Sequence, residues 1–210
     1  MKKIAFVFAF LLAFLTASAQ KSVTPQEQQK IIAEINATAK GINTLQCDFT
    51  QTKTLSIMDE QMVSKGRMFF ARPNKLRWQY TSPYDYTFII TDDKVLIGKG
   101  KTKNSIDLKG SQAFQEIARM IAGSVTGRCL TEKNDFDVQI QTTNVTYMAL
   151  LKPKKSQMRK MFKQIRLTFS KKERIVTQVE MTDANGDQTV IKMQNVIKNE
   201  KVDNKVFVLD

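Results

Sequence analysis

The chain has 210 residues, with 33 Lys and Arg against 20 Asp and Glu, a net charge of +13, no histidine and two cysteines. Without histidine there is no Ser-His or Cys-His nucleophile and no His-ligated metal, and two thiols alone do not complete an ordinary zinc site. No Walker or dinucleotide glycine pattern is present, so neither a cofactor nor a metal is expected.

The chain opens with Lys2 and Lys3, an uncharged apolar run over residues 4–15, and Ala17-Ser18-Ala19 before Gln20. This is the pattern of a cleaved secretory signal peptide, residues 1–19. The run is shorter than the roughly 20 residues of a membrane span. No cysteine follows the cleavage site, so export as a soluble protein without its own lipid anchor is expected. Residues 20–210 show no repeat and no Pro/Gly/Ser-rich linker, and read as one domain. Losing Lys2 and Lys3 with the leader lowers the net charge to +11. Export makes nucleic acid an unexpected partner and leaves anionic lipid or an acidic protein.

Thr24-Pro25-Gln26-Glu27 is a helix start with a capping box, Ile31, Ile32, Ile35 and Ala39 form its apolar stripe, and Gly41 stops it. Alternation then predicts strands over 45–55, 62–71, 75–81, 86–91, 94–98 and 102–108. A second helix starts near Ser111, with Phe114, Ile117, Ala118 and Ile121 at helical spacing and Gly123 at its end. Further strands follow over 136–143, 145–151, 163–170, 175–182, 189–196 and 205–209. Asp92-Asp93, Lys171-Lys172-Glu173 and Asn185-Gly186 mark hairpins, the last read as a type I′ turn. Short hairpins and two helices give a mainly antiparallel β architecture, α+β in the loose sense, long enough to curl.

On four successive strands, Phe49, then Met62, Met68 and Phe70, then Leu76, Trp78 and Tyr80, then Tyr86, Phe88 and Ile90 fall on alternate positions. An ordinary core is one reading. With two helices to cover so many strands, a partly filled concave sheet open to apolar ligands is the other. Arg72 places a permanent cation at the rim of this aromatic face. Residues 152–174 hold ten Lys or Arg against Glu173 alone, either a solvated edge or a surface for an anionic partner. Carboxylate-pair hydrolysis would need two acids, and the best pairs are Asp92/Asp93 and Asp135/Asp137. Both read as turn or strand-edge residues, and an enzyme is not expected. The Asp183-Ala184-Asn185-Gly186-Asp187 stretch lacks the ligand run of a calcium loop. Cys47 and Cys129 either bridge in an oxidising compartment or leave Cys47 as a buried thiol.

Cys47-Asp48-Phe49-Thr50-Gln51, Gly66 and Arg72-Pro73-Asn74-Lys75-Leu76-Arg77-Trp78-Gln79-Tyr80 with Pro83 resemble the motifs of the periplasmic outer-membrane lipoprotein carrier family, LolA. The likeness is greatest to its divergent Bacteroidetes-type members, and Ile117-Ala118-Arg119 looks like the family's lid helix. The resemblance implies a strongly curved, incomplete β-barrel of about eleven strands with a helical lid over an apolar cavity. It further implies a monomeric, non-enzymatic chaperone of the periplasm, without cofactor, that carries triacylated lipoproteins. An inner-membrane lipoprotein-releasing ABC transporter would load it and an outer-membrane acceptor would unload it. Phe49, Met62, Met68, Phe70, Leu76, Trp78, Tyr80, Phe88, Ile90, Phe114 and Ile121 would line the acyl cavity. Arg72 would latch the lid by bonding the backbone near Ile117 and Ala118. The basic stretch 152–163 and the end of the chain at Asp210, without the extension of better-known members, depart from the family and leave partners and direction open. A carrier or sensor for another lipid or glycolipid on the same fold, and a polysaccharide- or surface-binding module with a filled core, are the competing readings.

Overall fold

Thr24 starts helix α1 (Pro25–Lys40). Its hydroxyl accepts from Glu27 N at 3.3 Å, and Glu27 Oε2 accepts from Thr24 N at 2.8 Å. Two donors without a helical partner are thereby satisfied. The same reciprocal bonding, led by the backbone N–H of Thr24, holds the Glu27 carboxyl below its ordinary range. Ile31, Ile35 and Ala39 are the buried stripe. The computed structural model describes residues 21–58, 60–91, 94–99, 102–107, 123, 130–131 and 135–209. The expected signal peptide, the second helix near Ser111 and Asp92-Asp93 therefore lie outside the described residues.

The strands are β1 (Lys21–Ser22), β2 (Thr44–Thr54), β3 (Gln61–Ala71), β4 (Lys75–Ser82), β5 (Tyr86–Ile90), β6 (Lys94–Lys99), β7 (Thr102–Asp107), β8 (Phe136–Thr142), β9 (Thr146–Pro153), β10 (Phe162–Ser170), β11 (Val176–Asp183) and β12 (Gln188–Lys198). They form one sheet in the order β1-β8-β9-β10-β11-β12-β2-β3-β4-β5-β6-β7. Every neighbouring pair is antiparallel. Eleven strands carry the sheet, and β1 adds a two-residue edge. The end strands β1 and β7 do not pair with each other, so the barrel is incomplete.

Two meanders, β2–β7 and β8–β12, meet where β12 pairs with β2 from Gln188↔Thr54 to Lys198↔Leu45. The register slips between Gln194 and Ile197. Asn195, at φ 52°, sits in this bulge and donates from Nδ2 to Asp48 Oδ2 at 2.8 Å. Following the register, the β2–β3, β4–β5, β9–β10 and β11–β12 connections share one end of the sheet, the hairpin rim. The β3–β4, β8–β9 and β10–β11 turns share the other, the helix rim, because α1 is tied there.

The concave face packs as one core. Phe49, Met68, Phe70, Leu76 and Trp78 meet Ile31 and Ile35 of α1 and Leu151, Ile165, Leu167 and Phe169 of the second meander. Phe49 stacks on Trp78 with centroids 4.2 Å apart and meets Tyr80 edge-on at 5.3 Å. Gly66 makes room for this ladder: a Cβ there would lie 2.5 Å from Phe49 Cζ and 2.0 Å from Gln79 O.

Three local expectations are corrected. Residues 205–209 are not a strand; Asn204–Phe207 is a 3₁₀ turn whose start is capped by Asp203 Oδ1 accepting from Lys205 N at 2.9 Å. Arg77 Nη1 holds this tail by donating to Val206 O and Val208 O at 3.0 and 3.1 Å. The tail therefore covers the convex face rather than extending the sheet. The β11–β12 turn is not type I′, since Gly186 alone in it has positive φ, 99°. Gly186 N donates to Asp183 O and Asp183 N to Asp187 O, a type I turn closed by a glycine bulge. Finally, a six-residue helix, Ser156–Met161, interrupts the basic stretch, anchored by the buried Met158.

Candidate functional site

The alternation of β2, β3 and β4 continues past the core toward the hairpin rim. Beyond Phe49 the inward positions become Gln51 and Lys53, before Met68 they are Ser64 and Met62, and beyond Trp78 they are Tyr80 and Ser82. Among the described residues fewer apolar side chains meet there, and the concave face leaves a cleft. Gln51, Met62, Ser64, Tyr80, Ser82, Tyr84 and Tyr86 line a cleft of about 410 Å³. That is within the roughly 300–1,000 Å³ of small-molecule sites. Tyr80 donates its hydroxyl to Gln51 Oε1 at 3.0 Å, and burial pushes its phenol above the ordinary range.

The residues expected to line an acyl cavity divide accordingly. Phe49, Met68, Phe70, Leu76, Trp78 and Ile90 are buried in the core, Tyr80 and Phe88 are half-buried against it, and Met62 is 47% exposed at the cleft. Phe114 and Ile121 lie outside the described residues. Deep in the apolar set, Trp78 Nε1 is buried with no acceptor in good hydrogen-bond geometry, yet it lies near enough to the Tyr80 oxygen to oppose the upward push on that phenol.

Arg72 stands at the helix rim. Its Nε donates to Ile42 O and its Nη2 to Ala39 O, both at 2.7 Å. The guanidinium thus binds carbonyls that end α1, where the helix dipole also favours a cation. Ile117 and Ala118, the expected acceptors, lie outside the described residues. Three more ties hold α1. Asn199 donates from Nδ2 to Gly41 O at 2.9 Å and accepts from Asn43 N at 2.7 Å. Glu34 pairs with Arg174 at 3.0 Å. The Gln28 amide donates to Val138 O and accepts from Ile140 N, both at 3.0 Å, covering the open edge of β8 as a strand would.

Cys47 is a free, buried thiol; Cys129, its expected partner, lies outside the described residues. Its side chain belongs to the core cluster, on a strand that aims it inward beside Phe49. Burial, with a smaller contribution from the Asp48 charge, pushes it up to about 12. Asp135 is buried and lies 2.7 Å from Lys155 Nζ, while Asp137 is exposed. Asp183 Oδ1 accepts from the N–H groups of Asn185, Gly186 and Asp187 at 2.8–3.1 Å, so it serves its own loop. Among the described residues no cluster of three or more ligating side chains is placed to hold a metal.

The acceptors Ala39 and Ile42 and the cleft residues Gln51, Ser64, Ser82, Tyr84 and Tyr86 are absent from the sequence-derived site, although the alternation places Tyr86 on the aromatic face. Extending the strand alternation beyond its apolar run reaches the first three of the cleft set. Backbone acceptors have no signature in side-chain identity.

An open antiparallel barrel with an aromatic concave face and an arginine-tied helix at one rim defines the class of incomplete β-barrels. The outer membrane lipoprotein carrier protein LolA family matches residues 40–210. The outer-membrane lipoprotein carrier protein of Chromobacterium violaceum is 28% identical over 187 residues, 86% of this chain and 84% of its own length. That of Methylococcus capsulatus is 26% identical over 194 residues, 90% and 85% of the two chains. Among solved structures, the Pseudomonas aeruginosa MucA/MucB complex shares the fold, with a TM-score of 0.53, 8% identity, and coverage of 88% of this chain and 61% of that one. The chain belongs to the outer-membrane lipoprotein carrier family.

Proposed function

We propose that the protein is a periplasmic carrier that shields the acyl chains of triacylated lipoproteins between the inner and the outer membrane. The observation that carries this reading is the concave aromatic face of β2–β5, packed near α1 and open at the cleft beside Met62, Tyr80 and Tyr86. Family membership supports it. An inner-membrane ABC transporter supplies the cargo and an outer-membrane acceptor receives it. The role is chaperoning without covalent chemistry, and the leader 1–19 directs export.

Release is the physical difficulty for such a carrier. Burying acyl chains contributes about 0.8 kcal/mol per CH₂, so an unopposed cavity would retain its cargo. A closed form that competes with cargo lowers the affinity by the stability of that form. Arg72 supplies part of it. Its two charge-assisted bonds to the end of α1 contribute on the order of 1 kcal/mol each, at the low end of the usual range because the residue is exposed. Loading breaks them and unloading restores them.

Replacing Arg72 by Leu removes the closing bonds and leaves the apolar face intact. In a transfer assay from loaded carrier to outer-membrane acceptor, the variant should hold cargo more tightly than the wild type and deliver it about tenfold more slowly. Delivery at the wild-type rate would remove the latch from the account.

A further inference from the structure

The hairpin rim carries two features that cargo binding does not use. The first is an exposed apolar tip. In the β2–β3 connection Ile57 is 91% and Met58 60% exposed, and Tyr84 in the neighbouring β4–β5 turn is 64% exposed. Two backbone bonds close the turn beneath the tip: Leu55 N donates to Glu60 O at 3.2 Å and Met58 N to Leu55 O at 3.4 Å. The second is cationic. Lys152, Lys154, Lys155, Arg159, Lys160 and Lys163 are all exposed, and residues 152–163 include no carboxylate.

The β11–β12 turn stitches these features together. Ser56 donates from N to Asp187 Oδ1 at 2.9 Å and from Oγ to Asn185 O at 3.3 Å, and Ala184 N donates to Met161 O at 3.0 Å. Carboxylates at this rim offset part of the positive field. Asp183 is turned onto its own loop, Asp187 faces Lys53 at 3.6 Å and Asp135 faces Lys155. Glu60 and Asp85 are exposed in the turns of the apolar tip and Asp59 follows Met58 in sequence, so the net positive charge lies on the 152–163 side of the rim.

We infer that the hairpin rim docks on an anionic lipid bilayer, with the Ile57–Met58 tip entering the interface and the 152–163 cations on the headgroups. The apolar side chains stand on projecting turns. A protein partner would need pockets matched to each of them, whereas a fluid interface takes a projecting tip and long cationic side chains together. The Ile57 and Met58 side chains can enter the interface while the turn's backbone stays at the headgroup level, in contact with water. Docking there sets the cleft beside Met62 and Tyr84 against the membrane surface. The inference goes beyond the carrier reading and does not depend on which acyl cargo is carried.

The test uses the leader-free chain, Gln20–Asp210, which contains every described residue, in co-sedimentation with vesicles. On phosphatidylcholine containing about one third phosphatidylglycerol, binding should be at least about tenfold stronger than on phosphatidylcholine alone, and should fall steeply toward about 0.5 M NaCl. The double variant Ile57→Ser/Met58→Ser should lose about tenfold on the anionic vesicles. The triple variant Arg159→Gln/Lys160→Gln/Lys163→Gln should lose most of the salt dependence. As a second readout, indole emission from Ile57→Trp should shift to the blue with anionic vesicles only. Equal binding to both vesicle types, binding unchanged in both variants, or an unshifted Ile57→Trp emission would overturn the proposal. Absence of binding to either vesicle would also overturn it, leaving the rim to a protein partner. Cargo found in the cleft by mass would still support the carrier reading in that case.

Discussion

Cys47 shows how far one buried side chain reports on the whole barrel. Its thiol is pushed up to about 12 from an ordinary 9.0 because the core around Phe49 and Met68 offers the thiolate no water. The sign follows from proton counting. Above pH 9 the unfolded chain loses this proton while the folded chain keeps it, so stability is fully present below pH 9 and is lost as pH rises toward 12. The slope reaches about 1.4 kcal/mol per pH unit. Denaturant midpoints measured at pH 8 and about pH 10.5 should therefore fall more for the wild type than for Cys47→Ala. Equal falls would mean that the thiol is not in the dry core. The sequence left bridge and buried thiol both open, since only geometry separates them. Arg72 was legible as an outlier, a cation beside an aromatic face, but its acceptors were not. A guanidinium bonds backbone carbonyls, and any helix end brought to it by the fold can supply them.

At the scale of elements, strands dictated by alternation were read to within one or two residues, because one face of each is dry and a slip would expose it. The misread elements lack that constraint. Val206, Phe207, Val208 and Leu209 make a short apolar run that reads as a strand, yet Asp203 caps a turn there and Arg77 grips it from the convex face. The Ser156–Met161 helix is too short for a 3.6-residue period to show, and its one buried residue, Met158, is surrounded in sequence by cations. Helix α1 was legible from its capping box, but its tie to the sheet edge was not. The Gln28 amide stands in for a strand at β8, and Ile140 N–H is the group that depends on it. Gln28→Ala should speed hydrogen exchange at Ile140 about fivefold, the worth of one hydrogen bond of about 1 kcal/mol. Unchanged protection would show that β8 is closed by other means.

The whole molecule joins a closed rim to an open one. At the helix rim, Arg72, Asn199, Glu34–Arg174 and Gln28 hold α1 over the dry part of the concave face. At the hairpin rim, the cleft opens beside an apolar tip and a basic edge. The fold class was legible from hairpin spacing and faces, and the family from the Arg72–Tyr80 block. The division of the aromatic face into packed core and open cleft was not. Phe49, Trp78 and Tyr80 share one alternating face, and only three-dimensional packing decides which of them meets another side chain and which meets the cleft. That division bears directly on function, since a core filled to the rim would bind nothing.

The central claim is that acyl chains of lipoproteins occupy this face. It is tested most directly by mass spectrometry of what remains bound to the protein purified gently from a native periplasm, with Arg72→Leu prepared alongside. Acylated N-terminal cysteine peptides, enriched in the variant, are the predicted result. A different lipid would keep the pocket and contradict the pathway, and two empty preparations under conditions that preserve acyl cargo would contradict the carrier itself.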